Sequence, residues 1–190
     1  TDLDMDLHSG LPYWIAKNPL FDYFNPLEKD IECDVVIIGS GITGALVAHE
    51  LCSAGIECVI VDKRSIAIGS SIASTALLQY EIDTSISQLV NLVGEINAVK
   101  AYKSCLQSID DIQNIFGKID FDPGFKRVSS IYFASDKKGR CIVESEYAAR
   151  VKYGLPVNIL EKKELRKKYG FKAPVALENN VSGQLDPYMG

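Results

Sequence analysis

What the sequence has little of narrows the possible functions first. It contains two histidines and five cysteines. No two cysteines form a C-x-x-C pair, so the sequence predicts neither a zinc site nor a disulfide framework. We therefore expect no metal site. Lysine and arginine number 20 against 25 acidic residues, a net charge of −5, which argues against a nucleic acid as the principal partner.

Neither a secretory leader nor a transmembrane segment is expected. The opening TDLDMDLHSG is acidic and has no apolar stretch, so we expect no secretory signal. The longest uncharged run near the front, residues 35–48, is too short for a transmembrane segment and is interrupted by glycines. These features predict a cytoplasmic protein. A hydrophobic fraction of 47% with 24% charged residues is typical of a globular chain.

The most informative stretch is residues 34–62, DVVIIGSGITGALVAHELCSAGIECVIVD. It predicts a β-branched strand at 35–38, a glycine turn, a helix closed near Gly55, and a second strand at 58–61. This order is that of a βαβ unit with parallel strands.

The glycine turn fits the dinucleotide-binding fingerprint. Its first glycine makes the tight turn, its second lets backbone approach a pyrophosphate, and its third lets the helix pack on the strand. The helix N-terminus then forms an anion site from backbone N–H groups. Asp62 ends the second strand, where its carboxylate can accept hydrogen bonds from a ribose diol. The turn comprises Gly39, Ser40, Gly41, Ile42, Thr43 and Gly44.

The loop after the second strand is crowded with hydroxyl groups between Gly69 and Ala76. Such a segment suits contact with a bound ligand through its backbone amides, although a serine-rich surface loop has the same composition. Residues 1–30 predict an arm anchored by its aromatic residues.

Beyond residue 80, helical and strand patterns alternate. Asp83 is expected to cap a helix from 84 to 93, and Gly117 to stop a second helix. Further elements are predicted as a strand at 125–134, a helix to 153, a strand at 157–160, a charged helix from 161 and a short strand at 173–177.

The sequence resembles the N-terminal part of the FAD-dependent D-amino-acid oxidase family, and is most similar to its glycine oxidase and γ-glutamylputrescine oxidase branch. The resemblance implies an α/β fold, with a Rossmann-like FAD-binding domain and part of a mixed-sheet substrate domain. It implies an arm at 1–30, FAD-binding segments at 31–124 and 178–190, and a substrate segment at 125–177. The stretches that carry it are YWIAKNP, DVVIIGSGITGALVAHEL, VIVDKR, GSSIASTALLQ and GQLDPY.

The resemblance also implies roles for individual residues. Gly39, Gly41 and Gly44 would cradle the pyrophosphate of FAD, Asp62 would hold the ribose, and Lys63 and Arg64 would border the adenine. The loop backbone would lie along the pyrophosphate, ribityl chain and flavin, at Ser70, Ser71, Ser74, Thr75, Ala76 and Leu77. Many relatives carry a glycine between positions 72 and 76, and this sequence has none there.

The implied reaction is oxidation of a C–N bond in an amine or amino acid. A hydride passes to flavin N5, and the imine is then hydrolysed. No catalytic residue can be named. Because family members are longer, we expect a truncated chain that is inactive in isolation. The alternatives are an NAD(P)-linked dehydrogenase and a non-catalytic nucleotide-binding fragment. Asp62 disfavours a 2′-phosphate by charge, although Arg64 weakens that argument.

Overall fold

The computed structural model describes residues 10–18 and 24–190. Phe21 and Tyr23, two of the aromatic residues expected to anchor the arm, lie outside these ranges. The chain forms two packed units. The first comprises residues 1–76 and 186–190, and the second comprises residues 77–185. The boundaries expected from the sequence, at residues 124 and 177, differ from these, so the functional division stays a proposal.

The first unit contains the βαβ arrangement that the sequence predicts. Strands β1 and β2 pair in parallel, with Val35 opposite Cys58 and Ile38 opposite Val61. Gly55 follows the crossover helix with φ +76°, a left-handed conformation that suits glycine at a helix end. The elements of this unit are α1 (Tyr13–Lys17), β1 (Val35–Ile38), α2 (Ile42–Ser53) and β2 (Cys58–Val61).

The second unit is an antiparallel sheet with helices packed against it. Its central strand, β6, pairs with β4 along one edge and with β3 and β5 at opposite ends of the other. The elements are β3 (Leu77–Leu78), α3 (Ile86–Val93), α4 (Glu95–Phe116), β4 (Lys126–Phe133), α5 (Arg140–Lys152), β5 (Asn158–Glu161), α6 (Lys162–Tyr169) and β6 (Val175–Gln184).

Two expectations about this unit were wrong. The Asp83 cap is replaced by Ser85, whose hydroxyl accepts a hydrogen bond from the N–H of Gln88, so α3 begins two residues later than expected. The predicted short strand at 173–177 is the start of the ten-residue β6. Its polar residues Asn179 and Ser182 are buried and hydrogen-bonded, and such residues do not resemble a buried strand in sequence.

A buried polar network joins helices and sheet in the second unit. The guanidinium of Arg150 donates to Glu146 and to Glu81, each at 3.0 Å. Glu146 also accepts the backbone N–H of Ile86 at 3.1 Å, and therefore caps α3 from α5. Arg150 and Glu146 are 3% and 1% exposed. The helices are thus held by charges that water does not screen.

Candidate functional site

Two glycines of the turn in the first unit, Gly39 and Gly44, occupy positions that a larger residue could not easily take. Gly39 has φ +104°, and its N–H donates to the carbonyl of Val61 at 2.8 Å, which ties the turn to β2. A Cβ on Gly44 would lie 2.0 Å from the Gly39 carbonyl oxygen. Because that oxygen belongs to the backbone and cannot rotate away, α2 can approach β1 this closely only with glycine at position 44.

The N-terminus of α2 opens directly from this turn. Its N-cap residue is Gly41, which offers no side-chain cap. The N–H of Ile42 donates to the Ser71 hydroxyl at 3.1 Å, so the hydroxyl-rich loop lies against the turn. Thr43 and Gly44 occupy the next two positions, whose N–H groups have no acceptor within an α-helix. The site therefore offers backbone donors and the positive end of a helix dipole.

Asp62 joins the end of β2 to the same turn. One carboxylate oxygen accepts from both the N–H and the hydroxyl of Ser40 at 2.7 Å, and the other accepts from the N–H of Arg64 at 2.8 Å. Partial burial acts to raise the pKa of Asp62, but these hydrogen bonds outweigh it and hold the pKa below its ordinary value. The group is thus an anion at neutral pH, and the oxygen bonded to Arg64 can accept a further donor.

The hydroxyl-rich loop forms a single turn of 3₁₀-helix at Ser71–Ala73. Ser74 then fixes the chain beyond this turn, because its hydroxyl accepts the N–H of Ala76 at 3.1 Å. Ala76 is 3% exposed and has φ +66°, a conformation that favours glycine. Many relatives carry a glycine between positions 72 and 76. Within this stretch, Ala76 has the backbone conformation that glycine would adopt more easily.

The structure does not bring every expected site residue into one place. Lys63, Ser70 and Thr75 are exposed. Arg64 acts on the site through its backbone N–H and through its charge, which helps to lower the pKa of Asp62. Leu77 begins the second unit, where it pairs with Gln184 of β6. The roles of these residues beside a cofactor stay predictions.

Two supporting contacts were not foreseen from the sequence. The indole N–H of Trp14 donates to the carbonyl of Ser74 at 3.0 Å, and Trp14 packs in a cluster with Ile72 and Tyr188. The carboxylate of Asp186 accepts from the ammonium of Lys17 at 2.8 Å. Partners separated by 60 and 169 positions leave no local pattern, and the only sequence signal was the resemblance of the stretches that contain them.

Other kinds of site were sought in the same residues. Across 10–18 and 24–190, no group of three histidine, cysteine or acidic side chains is arranged to hold a metal ion. No helix in those ranges is long and apolar enough to cross a membrane.

The decisive comparison is with protein families. Residues 34–189 match the family described as FAD dependent oxidoreductase (DAO). The chain belongs to this family. The match includes the glycine turn, Asp62 and the hydroxyl-rich loop, and it confirms the resemblance to the D-amino-acid oxidase family seen in the sequence. FAD is therefore the cofactor that the family assigns to the chain.

Individual relatives and solved structures are similar to most of this chain. The chain is 26% identical over 169 residues to a putative Rieske 2Fe-2S iron-sulfur protein, YhfW, of Bacillus subtilis, a match that covers 89% of this chain and 33% of that protein. Among solved structures, an L-amino acid deaminase of Proteus vulgaris lacking its specific insertion sequence has a TM-score of 0.69 at 20% identity, covering 97% of this chain and 45% of the other.

A glycine oxidase of Geobacillus kaustophilus is similar to the same extent. Its TM-score is 0.67 at 21% identity, with 82% of this chain and 41% of the other covered. These similarities establish the α/β fold expected from the sequence. The structure has one parallel sheet, and its second sheet, expected to be mixed, is antiparallel in the described residues. The chain spans less than half the length of each of these three proteins.

The residues present fit FAD. The turn has no room for a side chain at position 44, and Gly41 supplies no side-chain cap to the helix that follows. The Ser71 hydroxyl accepts the Ile42 N–H, and the N–H groups of Thr43 and Gly44 remain to bind a diphosphate without a basic residue. Asp62, a few ångströms away through Ser40, supplies the acceptor that a ribose diol needs.

Proposed function

We propose that this chain supplies the FAD-binding turn of an oxidoreductase that oxidises the C–N bond of an amine or amino acid. The observation that carries the proposal is the 2.7 Å hydrogen bond from the Ser40 N–H to Asp62, because it joins the glycine turn, which would bind the phosphates, to the carboxylate that would bind the ribose. The names of two similar structures, an L-amino acid deaminase and a glycine oxidase, support the substrate class.

In this proposal, different residues bind different parts of FAD. The backbone of Gly39, Gly41 and Gly44 would hold the pyrophosphate, and Asp62 would hold the ribose. Ser71 adds a donor, because its oxygen already accepts the Ile42 N–H at 3.1 Å while its own proton has no acceptor among the described residues. That hydroxyl would donate to a phosphate oxygen.

Bound FAD supplies an acceptor at N5 for a hydride from the C–H bond beside nitrogen. The chain's part in the reaction is to bind and orient the cofactor. Its amides are fixed before binding, since the turn is held by the Gly39–Val61 and Ser40–Asp62 hydrogen bonds. Little conformational entropy is then lost on binding. The imine product would be hydrolysed by water.

The first experiment uses the full-length protein as purified. We expect a yellow protein whose flavin absorbance is bleached anaerobically by at least one amine or amino acid. A colourless protein stabilised against heat by NADH but not by FAD would instead identify an NAD-linked dehydrogenase. A protein that retains FAD but is bleached by none of a broad panel of amines and amino acids would be a nucleotide-binding module without turnover.

The second experiment tests the site itself. Asp62→Ala should weaken FAD binding by about 1.5 kcal/mol or more, roughly tenfold in Kd, because a charged acceptor is lost. The matched control is Asp34→Ala. The Asp34 carboxylate accepts the N–H of Glu57 at 3.2 Å, at the opposite end of the same two strands. The control should lose a similar backbone contact and keep its FAD affinity. Equal losses in both variants would show that Asp62 acts only through the fold.

A further inference from the structure

Two cysteine sulfurs lie in contact where the crossover helix returns to the sheet. Cys52 is in the last turn of α2, and Cys58 is the first residue of β2. Gly55 reverses the chain between them with φ +76°, and its N–H donates to the Cys52 carbonyl at 3.0 Å. The two Sγ atoms are 3.6 Å apart. Cys58 is half-buried, whereas Cys52 is exposed.

Of the other three cysteines, Cys33 lies near enough to Cys58 to contribute to raising its pKa, whereas Cys105 and Cys141 belong to the second unit. The Sγ of Cys33 donates to the carbonyl of Val35 at 3.4 Å. Cys105 packs against the core of the second unit, and Cys141 is exposed on α5. No other pair of cysteine sulfurs is in contact among residues 24–190, a range that contains all five. The Cys52–Cys58 contact is thus specific to this corner of the βαβ unit.

We propose that Cys52 and Cys58 are a redox modification site that closes to a disulfide when the protein meets a hydroperoxide. The sulfurs must approach by about 1.5 Å to reach the disulfide bond length of roughly 2.05 Å. Cys52 can supply much of that movement, because an exposed side chain at a helix end is free to rotate. The bridge lies at the end of α2 opposite the glycine turn and so leaves the candidate FAD site intact.

The two sulfurs have different roles in the oxidation: one attacks the peroxide and the other resolves the product. The exposed Cys52, as its thiolate, attacks the peroxide oxygen, which breaks the O–O bond and leaves a sulfenic acid and one water. The Cys58 sulfur then displaces the hydroxyl group as a second water. Two thiols lose two electrons and two protons, and hydrogen peroxide gains them. Burial, and then the hydrogen bond with Cys52, raise the pKa of Cys58, which suits the resolving thiol better than the attacking one.

The test treats the full-length protein with a stoichiometric amount of hydrogen peroxide. The number of free thiols, counted after denaturation, should fall by two from the five in residues 1–190, and the mass should fall by about 2 Da. Digestion after glutamate separates the three neighbouring cysteines, because Glu50 and Glu57 flank Cys52. The expected product is peptide 51–57 bridged to peptide 58–81, and dithiothreitol should release it.

Two variants control the result. Cys52→Ser should abolish the 2 Da loss, and Cys141→Ser, the matched change at another exposed cysteine, should retain it. Both substitutions are at the surface and leave the core untouched. The proposal fails if peptides 51–57 and 58–81 stay unlinked while Cys141 is oxidised. It also fails if the bridge recovered joins Cys33 to either partner.

Discussion

Strand β6, at the centre of the second unit's sheet, and strand β1 of the first unit differ in how they are covered. In β6 of the second unit, Val175, Ala176 and Leu177 are at most 1% exposed. In β1 of the first unit, Val36 and Ile38 are 58% and 88% exposed, although they are as apolar. Apolar residues on both faces are typical of a parallel strand covered on both sides. The second unit therefore encloses its own core, whereas the first has apolar surface still to cover.

Polar groups show the same difference. The Arg150 network of the second unit is buried and binds other parts of the same unit. In the first unit, Asp62 and the N-terminus of α2 are accessible and retain unused hydrogen-bonding capacity. We infer that the second unit is stabilised from within, and that the stability of the first depends more on what it binds.

One residue makes the two units separately observable. Trp14 is the only tryptophan of residues 1–190, and it packs in the first unit. Its fluorescence reports on that unit alone. Most of the helix and strand content, which dominates far-ultraviolet circular dichroism, belongs to the second unit.

The largest effect is expected from Arg150→Met. The change leaves Glu81 and Glu146 buried beside each other without their cation, which should cost about 3 to 5 kcal/mol of unfolding free energy. Urea denaturation should show the loss by circular dichroism and little change in the Trp14 transition. The control is Lys152→Met, two positions along α5, where the ion pair with Glu95 is exposed and contributes little. Equal shifts of both signals would mean that the units unfold together.

The Arg150 network also marks the limit of what the sequence could predict. The βαβ unit was predictable because strand, glycines, helix and Asp62 follow one another within residues 34–62, and each obeys a local rule. The bond from the Asn179 amide to Glu81, at 2.6 Å, joins residues 98 positions apart. Nothing local marks either as buried, so β6 was predicted too short.

The packing around single residues could not be predicted from the sequence either. Ser85 and Asp83 are both good N-caps, and the choice between them depends on Glu146 of α5, which receives the first N–H groups of α3. The parts of the candidate site that are formed by backbone were predicted from the sequence. Its side-chain supports, Trp14 and Lys17, required the fold to be known.

The second largest effect on stability is expected in the first unit alone. Gly44→Ala would put a Cβ 2.0 Å from the Gly39 carbonyl oxygen, so α2 must move away from β1. We expect a loss of roughly 1 to 3 kcal/mol in the Trp14 transition, together with a lower flavin content on purification. The matched control is Gly55→Ala. It has open space around the new methyl group and meets only the strain of φ +76°, so its flavin content should stay normal. Normal flavin in both variants would remove the glycine turn from the proposed site.

A smaller effect on the free energy of unfolding is expected at acidic pH. Asp186 accepts hydrogen bonds from Lys17 at 2.8 Å and Asn18 at 2.7 Å on one oxygen, and from two backbone N–H groups on the other. Burial acts to raise the pKa of Asp186, but these donors, the Lys17 ammonium first, lower it below its ordinary value. Its stabilising contribution is therefore complete above the unfolded pKa of about 3.9 and is lost as the pH falls through the lower, folded value.

Asp186→Asn should remove this dependence. At pH 7 the variant should lose on the order of 1 kcal/mol in the Trp14 transition, because Lys17 is half exposed and the pair is partly screened. As the pH falls below about 4, the difference between the variant and the parent protein should shrink, and it should disappear only below the lower, folded pKa of Asp186. The circular dichroism transition serves as the internal control, and it should not change. Parallel acid curves for parent and variant would show that Asp186 is not the group that titrates.

The smallest effect has the opposite sign and lies in the hydroxyl-rich loop. Ala76 is held at φ +66°, where an L-residue is strained by roughly 1 kcal/mol and glycine is not. Ala76→Gly should therefore raise the stability of the first unit, by about 0.5 kcal/mol after the added chain entropy of glycine is subtracted. Ala73→Gly, three residues earlier in the 3₁₀ turn, has no such strain to release and should be destabilising. If Ala76→Gly is also destabilising, the loop adopts another conformation in the protein, and its place beside the cofactor would need to be reassigned.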